Sequence, residues 1–281
     1  AFSNFDQILE EVNAGKDERY EKYDLAIYYK NFIQEVDSLA RHCFENSLMQ
    51  LGWNPDCGSI YTTSKIIEKL GISLEHERLV AAQLKALSVE GPLEELGQGE
   101  WRIIREVRGI DVTQELDHLR MKYPTQGADL DLYQLVWPRL TEVLSGEADS
   151  LEVLFPKGSS EVLEYFYVNG ADFPANNEMI SAAVQKAIEG VSEDRAVRIL
   201  EVGAGTGSLT RSVLERLSPN KFDYTFSDTS QAFIAEAKQA FTNNASVDFC
   251  LFDIEKSPSD QGIVPESFDL VLATNVIHAT S

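Results

Sequence analysis

The sequence is poor in cysteine and histidine. Its three cysteines, Cys43, Cys57 and Cys250, are odd in number and show no C-x-x-C spacing. The sequence therefore predicts neither a disulfide framework nor a zinc finger, and a reducing cytoplasm is the expected location. The four histidines include no pair at metal-ligand spacing, so no metal site is predicted.

Positive charge is also scarce. Lys and Arg number 24 against 46 Asp and Glu, which gives a formal net charge of -22 and a pI near 4.5. A surface of this sign disfavours nucleic acids and anionic membranes as partners, because both require clustered Lys and Arg. No apolar run approaches the length of a membrane span, and the first residues lack the basic and apolar parts of a signal peptide.

The 281 residues suffice for two domains of ordinary size, and the hydrophobic content of 43% is that of a globular protein. Residues 24–48, 64–70 and about 74–87 have helical periodicity, and a short ribbon is predicted around residues 101–104. This order is typical of a winged helix. The candidate recognition helix has few positive charges, so packing, dimerisation or a lid role is favoured over DNA recognition.

Further helices are predicted over residues 111–154, a turn cluster follows at residues 155–160, and two more helices are predicted at about 160–168 and at 177–188. The sequence therefore predicts a mainly helical N-terminal lid domain over residues 1–154, with a winged-helix-like portion at about 59–108. A second domain is predicted over residues 155–281. There, strands and helices alternate as in a doubly wound α/β sheet.

The stretch from Ile199 to Gly207 is the strongest local signal. A buried strand runs into glycines at three alternate positions, Gly203, Gly205 and Gly207, and an amphipathic helix follows. A dinucleotide site requires G-x-G-x-x-G and a phosphate loop requires Lys followed by Ser or Thr, so neither is indicated. Glu201, two residues before the first glycine, suits a cationic ligand. This pattern resembles the first motif of class I S-adenosylmethionine-dependent methyltransferases.

Polar residues follow the next three predicted strands, at 223–227, 247–251 and 268–273. Such sheets bind ligands at the carboxyl ends of their strands. Asp228 is placed to accept hydrogen bonds from a ribose diol, or alternatively to cap the following helix. Asp253 is placed to accept from an adenine amino group, with Phe252 or Ile254 beside the ring, or alternatively to serve as an ordinary turn residue. Asn275 and His278 follow the fourth strand.

Three segments narrow the resemblance to one family: Tyr224–Ser230, Phe252–Lys256 and Ser267–Thr280, in which the run from Asn275 to Thr280 is the most specific; the boundary segment Leu154–Ser159 is also similar. They resemble the C-methyltransferase domains embedded in polyketide synthases. The resemblance implies a Rossmann-like fold and S-adenosylmethionine as cofactor. The implied cofactor-binding residues are Glu201, Gly203, Ala204, Gly205, Gly207, Asp228, Thr229, Asp253, Ile254 and Asn275.

The resemblance also implies a reaction and partners. His278 matches the family's base, which acts on the α-carbon of a β-ketoacyl or malonyl-type chain carried as a thioester on the phosphopantetheine arm of an acyl carrier protein. Acyl carrier protein and neighbouring polyketide synthase domains are the implied partners. A neutral imidazole suits this role because it titrates near neutral pH.

The sequence departs from the family in one respect. A class I methyltransferase sheet needs about seven strands, and four are predicted. We expect these residues to be the N-terminal part of a longer polypeptide that catalyses poorly alone, and the carboxylate that pairs with the histidine in this family would lie beyond residue 281. A free-standing small-molecule O-methyltransferase, an inactive methyltransferase-like domain and a metal site near His278 stay open as alternatives.

Overall fold

The computed structural model describes residues 2–107, 109–192, 194–218 and 221–280. Residues 1, 108 and 281, which bound predicted domains, lie outside the described residues. The chain packs into two compact units, one of residues 26–166 and one that joins the first 25 residues to those from Tyr167 onward. These borders differ from the predicted one at 154/155, and the lid and core assignments stay predictions.

The secondary structure is mainly helical up to residue 188 and alternates strand with helix after it. The helices are α1 (Phe5–Ala14), α2 (Lys16–Lys22), α3 (Leu25–Ile27), α4 (Ile33–Gln50), α5 (Thr63–Leu70), α6 (Glu77–Glu90), α7 (Val112–Lys122), α8 (Gly127–Val136), α9 (Leu140–Ser145), α10 (Ser150–Leu154), α11 (Glu161–Asn169), α12 (Asp172–Ile188), α13 (Ser208–Arg216) and α14 (Gln231–Ala240). The strands are β1 (Ile60–Thr62), β2 (Leu93–Gly97), β3 (Glu100–Ile103), β4 (Val197–Val202), β5 (Phe222–Asp228), β6 (Val247–Leu251) and β7 (Leu270–Ala273).

The unit of residues 26–166 includes, in chain order, α4, β1, α5, α6, β2 and β3, and the winged-helix-like portion stays a prediction. Thr62 caps α5 by accepting a hydrogen bond from the Lys65 amide, and Gly71 ends that helix in the left-handed region. The predicted long first helix is interrupted by a π-helical segment, Tyr28–Phe32. Strand β1 was absent from the sequence prediction, because three residues become a strand only by pairing with β3, which lies 40 residues later in the chain.

An apolar cluster joins the part of this unit that contains its sheet. It combines the inward faces of α4, α5 and α6 with the three-stranded antiparallel sheet β1-β3-β2. Leu84 and Ile66 have no exposed surface. Trp101 of β3 is 3% exposed, and its indole nitrogen donates to the Thr63 hydroxyl at 2.9 Å, so its polar atom is satisfied inside the cluster.

The other unit is built on a four-stranded parallel sheet in the order β6-β5-β4-β7. Helices α12, α13 and α14 pack with the strands in one large apolar cluster. A smaller cluster on the other face of β4 contains Leu200, Val202 and Phe252. Because all four strands run the same way, their carboxyl ends meet at one edge of the sheet. The predicted parallel α/β sheet, preceded by a helical N-terminal region, is thus confirmed.

Helix α12 begins earlier than the sequence indicates. The periodicity predicts a start at Asn177, but the helix begins at Asp172. Pro174, which favours a break in a sequence reading, lies in the first helical turn, where the missing N–H of proline would have no intrahelical partner.

The first 25 residues pack with the sheet unit through contacts to α12. The Ser3 amide and hydroxyl donate to the carbonyls of Ala187 and Lys186 at 2.9 and 2.7 Å. The Glu178 carboxylate accepts from Lys22 Nζ at 2.8 Å and from the Tyr23 hydroxyl at 2.9 Å. Distant contacts of this kind leave no local pattern, so the sequence could not predict them. None of the described helices is long and apolar enough to cross a membrane.

Candidate functional site

The loop between β4 and α13 adopts a backbone that requires glycine. Gly203, Gly205 and Gly207 have φ values of 61°, 54° and 73°, all in the left-handed region. A Cβ built on Gly203 would lie 2.5 Å from Val276 Cγ2, and one on Gly207 would lie 3.0 Å from the Phe241 ring. A Cβ on Gly205 would meet nothing within 4 Å. Two glycines therefore serve close packing, and Gly205 faces open space.

Asp228 ends β5 and holds this loop. One carboxylate oxygen accepts the Gly205 amide at 2.9 Å and the other accepts the Ser230 amide at 2.8 Å. The cap of α14 is Ser230, not Asp228. A carboxylate offers about four lone-pair directions, so each oxygen retains capacity to accept a further hydrogen bond. Asp228 is 8% exposed, and Thr229 beside it is exposed.

Glu201 lies beneath the loop, on the helix-covered side of the sheet. It is 2% exposed, and its Oε2 atom accepts hydrogen bonds from the Thr210 hydroxyl of α13 and the Tyr224 hydroxyl of β5, each at 2.5 Å. Burial raises the pKa of this carboxyl to about 7, against the lowering effect of the two hydroxyls. Glu201 therefore contacts the helix and the strand that border the loop, and not the loop itself, through its carboxylate.

The segment after β7 lies against the glycine loop. Val202 pairs with Ala273 in register, so the two chains leave the sheet at the same level. Val276 packs on Gly203. Asn275 has a φ of 56°, which asparagine tolerates better than most residues. His278 follows in a single 3₁₀ turn, Ile277–Ala279, and its side chain is exposed.

Asp253 is held in a local turn after β6. Its carboxylate accepts the Glu255 amide at 3.0 Å and contacts Lys256 Nζ at 2.9 Å, and the Lys256 hydrogen bond lowers its pKa. These contacts match the turn alternative, and the adenine role stays a prediction. Ile254 is 40% exposed, whereas Phe252 is buried in the smaller core cluster. The Phe252 amide donates to the Asp228 carbonyl at 3.0 Å, so the two strand ends are adjacent.

The structure thus brings the predicted residues to one edge of the sheet. Ala204 also lies at this edge, next to the end of β5, because its amide donates to the Ser227 carbonyl at 2.9 Å. The open space at Gly205 and the remaining lone pairs of Asp228 fit a ligand with a diol, as S-adenosylmethionine has. Among the described residues, no group of three or more His, Cys, Asp or Glu side chains could hold a metal ion.

Sequence reasoning missed several residues that support the loop. Asn177 of α12 is 3% exposed, and its amide nitrogen donates to the Ser208 hydroxyl at 2.8 Å; Ser208 in turn donates to the Tyr167 carbonyl at 3.2 Å. The Ser227 hydroxyl donates to the Glu201 carbonyl at 2.6 Å. The sequence offers one indication of such residues: each is polar at a position that the apolar periodicity assigns to the protein interior.

Comparison with known sequences agrees with this geometry. A family model described as "Methyltransferase domain" matches residues 200–281. The non-reducing polyketide synthase pkbA of Emericella nidulans is 31% identical over 221 residues, which is 76% of this chain and 9% of that protein. The highly reducing polyketide synthase ACTTS3 of Alternaria alternata is 34% identical over 199 residues, or 70% of this chain and 8% of that protein. The chain therefore spans less than a tenth of the length of these relatives.

Solved structures extend the similarity to the whole chain. The carbon methyltransferase CurJ aligns with a TM-score of 0.90 and 26% identity, covering 98% of this chain and 73% of that one. The C-methyltransferase domain of the citrinin polyketide synthase aligns with a TM-score of 0.81 over 98% of this chain and 73% of that one. At 24% identity, that second match shows the fold alone.

Proposed function

We propose, from the premise that this chain belongs to the C-methyltransferase domains of polyketide synthases, that it methylates the α-carbon of an acyl chain. The methyl donor is S-adenosylmethionine, and the acceptor is a β-ketoacyl or malonyl-type thioester on the phosphopantetheine arm of an acyl carrier protein. Neighbouring polyketide synthase domains deliver and remove that chain.

One observation carries the proposal. Val276 packs on Gly203, so the segment that bears His278 lies beside the loop that we assign to the cofactor. The pairing of β4 with β7 sets this neighbourhood, because both segments leave the sheet at the same level. A base and a methyl donor held side by side are what a C-methylation requires, since positioning two reactants supplies much of the rate.

Each residue has a role in this proposal. The loop of Gly203, Ala204, Gly205 and Gly207 allows close approach of the cofactor, Asp228 and Thr229 face its ribose, and Asp253 and Ile254 lie at its adenine. Asn275 borders the site. Glu201 acts from beneath the loop.

His278 is the general base. The carbon between a ketone and a thioester is acidic enough for a neutral imidazole to take its proton. When bound, the cofactor supplies an electrophilic methyl group on a sulfonium. The α-carbon would gain that methyl group and S-adenosylhomocysteine would leave as the product, and the imidazolium of His278 returns its proton to water.

The test is mass spectrometry of a β-ketoacyl carrier protein incubated with S-adenosylmethionine and the protein in its full natural length. Wild type adds one methyl group to the acyl chain, and His278→Ala does not, although it binds the cofactor as wild type does. His118→Ala is the matched control, since His118 is an exposed histidine in the helical unit, and it retains transfer.

Three results contradict the proposal. Full transfer by His278→Ala removes the histidine from catalysis. Methylation of a small hydroxylated acceptor, with the carrier-bound chain unchanged, indicates an O-methyltransferase. Tight cofactor binding without transfer to any acceptor indicates an inactive domain.

A further inference from the structure

The Glu201 carboxylate connects α13, the helix that follows the glycine loop, to the neighbouring strand β5 through one oxygen atom. Thr210 Oγ1 and the Tyr224 hydroxyl both donate to Oε2 at 2.5 Å. Thr210 lies three residues after Gly207, and Tyr224 lies four residues before Asp228. The two elements that frame the loop thus meet at this carboxylate.

We infer that Glu201 is a positioning residue whose charged carboxylate holds α13 against β5 and so fixes the loop in its cofactor-binding geometry. The inference rests on the proposed role of that loop in cofactor binding. Both hydroxyl contacts are as short as hydrogen bonds to an ionised acceptor, and such bonds are roughly twice as strong as bonds between neutral groups. Protonation of Glu201 therefore weakens both links at once.

The surroundings of Glu201 make it the group that changes charge. Thr210 and Tyr224 have no exposed or nearly no exposed surface. Leu272 of β7 and Phe226 of β5 lie opposite Glu201 in register. Among the described residues, the titratable groups that act on it are Tyr224 and Asp228, and burial raises the pKa of Tyr224 well above its usual value. Tyr224 therefore keeps its proton and remains a donor at neutral pH.

The pH direction follows from these groups. The pKa of Glu201 is about 7, so the carboxyl is mostly neutral at pH 6 and mostly ionised at pH 8. The ionised form holds the loop more firmly and attracts a cationic cofactor. We therefore expect affinity for S-adenosylmethionine to rise about five- to tenfold between about pH 6 and pH 8, the gain from strengthening two hydrogen bonds.

The first experiment is calorimetric titration with S-adenosylmethionine across this pH range for wild type and Glu201→Gln. The cofactor's own amino group titrates equally in both proteins and cancels in their ratio. The same pair in a His278→Ala background removes any contribution from that histidine. The wild-type to Gln affinity ratio rises with pH if Glu201 positions the loop, and a ratio independent of pH overturns the inference.

A matched pair at Thr210 tests the link itself. Thr210→Ser retains the hydroxyl and Thr210→Val removes it at nearly constant volume. We expect Ser to bind the cofactor nearly as wild type does and Val to bind about three- to tenfold more weakly at pH 8, with a smaller loss at pH 6. Equal affinities for the two variants would contradict the inference, because a purely steric role would not distinguish them.

A measurement without cofactor separates this inference from the proposed function. The cost of burying the charge exceeds what the two stronger hydrogen bonds return, so the folded pKa of Glu201 lies above the ordinary value of 4.5. The net contribution of this group to folding is therefore full below pH 4.5, where the carboxyl is neutral, and is lost as pH rises through about 7, even though the charged form binds the two hydroxyls more tightly. The urea midpoint of wild type should therefore fall relative to that of Glu201→Gln over this range. If the midpoint falls in this way while neither protein binds S-adenosylmethionine, the assignment of the loop to that cofactor is wrong. If the two midpoints keep a constant difference across the pH range, Glu201 does not change its charge there and the inference is refuted.

Discussion

Substituting the glycines of the loop one at a time separates its packing role from its binding role. Gly203 and Gly205 have similar left-handed backbones, with φ values of 61° and 54°. Alanine at either position costs about 1–2 kcal/mol, because a Cβ crowds the backbone in that region. The two sites differ in what the new methyl group meets: Val276 at 2.5 Å in the first case and nothing within 4 Å in the second.

The stability effects should therefore diverge. Carbon atoms pack best at about 3.5–4.0 Å, so Gly203→Ala forces Val276 and the segment after β7 to move. Overpacking of this kind costs about 1–3 kcal/mol beyond the backbone term. We expect Gly203→Ala to lower the free energy of unfolding by about 2–5 kcal/mol and Gly205→Ala by about 1–2 kcal/mol.

For cofactor affinity we expect the opposite order, with the larger loss in Gly205→Ala. The methyl group of Gly205→Ala enters the space assigned to the cofactor, and a steric cost of about 1–3 kcal/mol raises the Kd for S-adenosylmethionine from about fivefold to more than a hundredfold. Urea denaturation and calorimetric titration measure the two quantities on the same samples. Wild-type affinity in a folded Gly205→Ala protein would refute the placement of the cofactor at this loop, and equal stability losses would refute the packing argument.

Three further predictions concern residues that support the two units. Asn177→Ala leaves the Ser208 hydroxyl without its donor and should cost about 1–3 kcal/mol; the same loss in a Ser208→Ala background would show that the pair is not coupled. Asp269 accepts the Arg198 amide at 2.9 Å, which lowers its pKa, so its stabilising effect is present above pH 4 and is lost as pH falls through its folded pKa. Asp269→Asn should thus cost about 1.5–3 kcal/mol at pH 7, and urea midpoints that still differ from wild type at about pH 2 would contradict this. Leu84→Ala empties a fully buried position in the helical unit and should cost about 2–5 kcal/mol in thermal or urea unfolding, and a loss below 1 kcal/mol would show that the cluster repacks around the gap.

The position of Glu201 changes how the acidic residue of the glycine motif is understood. From the sequence, a carboxylate two residues before the glycines suits a cationic ligand directly. In the structure its oxygen is engaged by Thr210 and Tyr224 on the helix-covered side of the sheet. A buried charge can still attract a cation through a medium of low dielectric constant, and the two hydroxyl contacts add the positioning role that we infer for Glu201.

Local sequence patterns determined much of the α/β unit. A buried, mostly apolar run in β4, alternation in the first part of β5, glycines at alternate positions and a polar residue after each strand follow from rules of one or a few residues. Strand β6 was predicted at the bounds that the structure has, and the other three strands agree within one or two residues. Asp228 and His278 could be placed at one edge of the sheet in the same way, because parallel strands bring their carboxyl ends together, whereas the predicted role of His278 as base came from the family resemblance.

Only the tertiary structure decided which partners these residues meet. The attachment of Ser3 and Lys22 to α12 joins residues more than 150 positions apart, and β1 exists only through its pairing with β3. The packing of Val276 on Gly203 and the two hydroxyls on Glu201 are also contacts between distant segments. Periodicity states which side of an element faces inward, but the identity of the neighbour on that side depends on the whole fold.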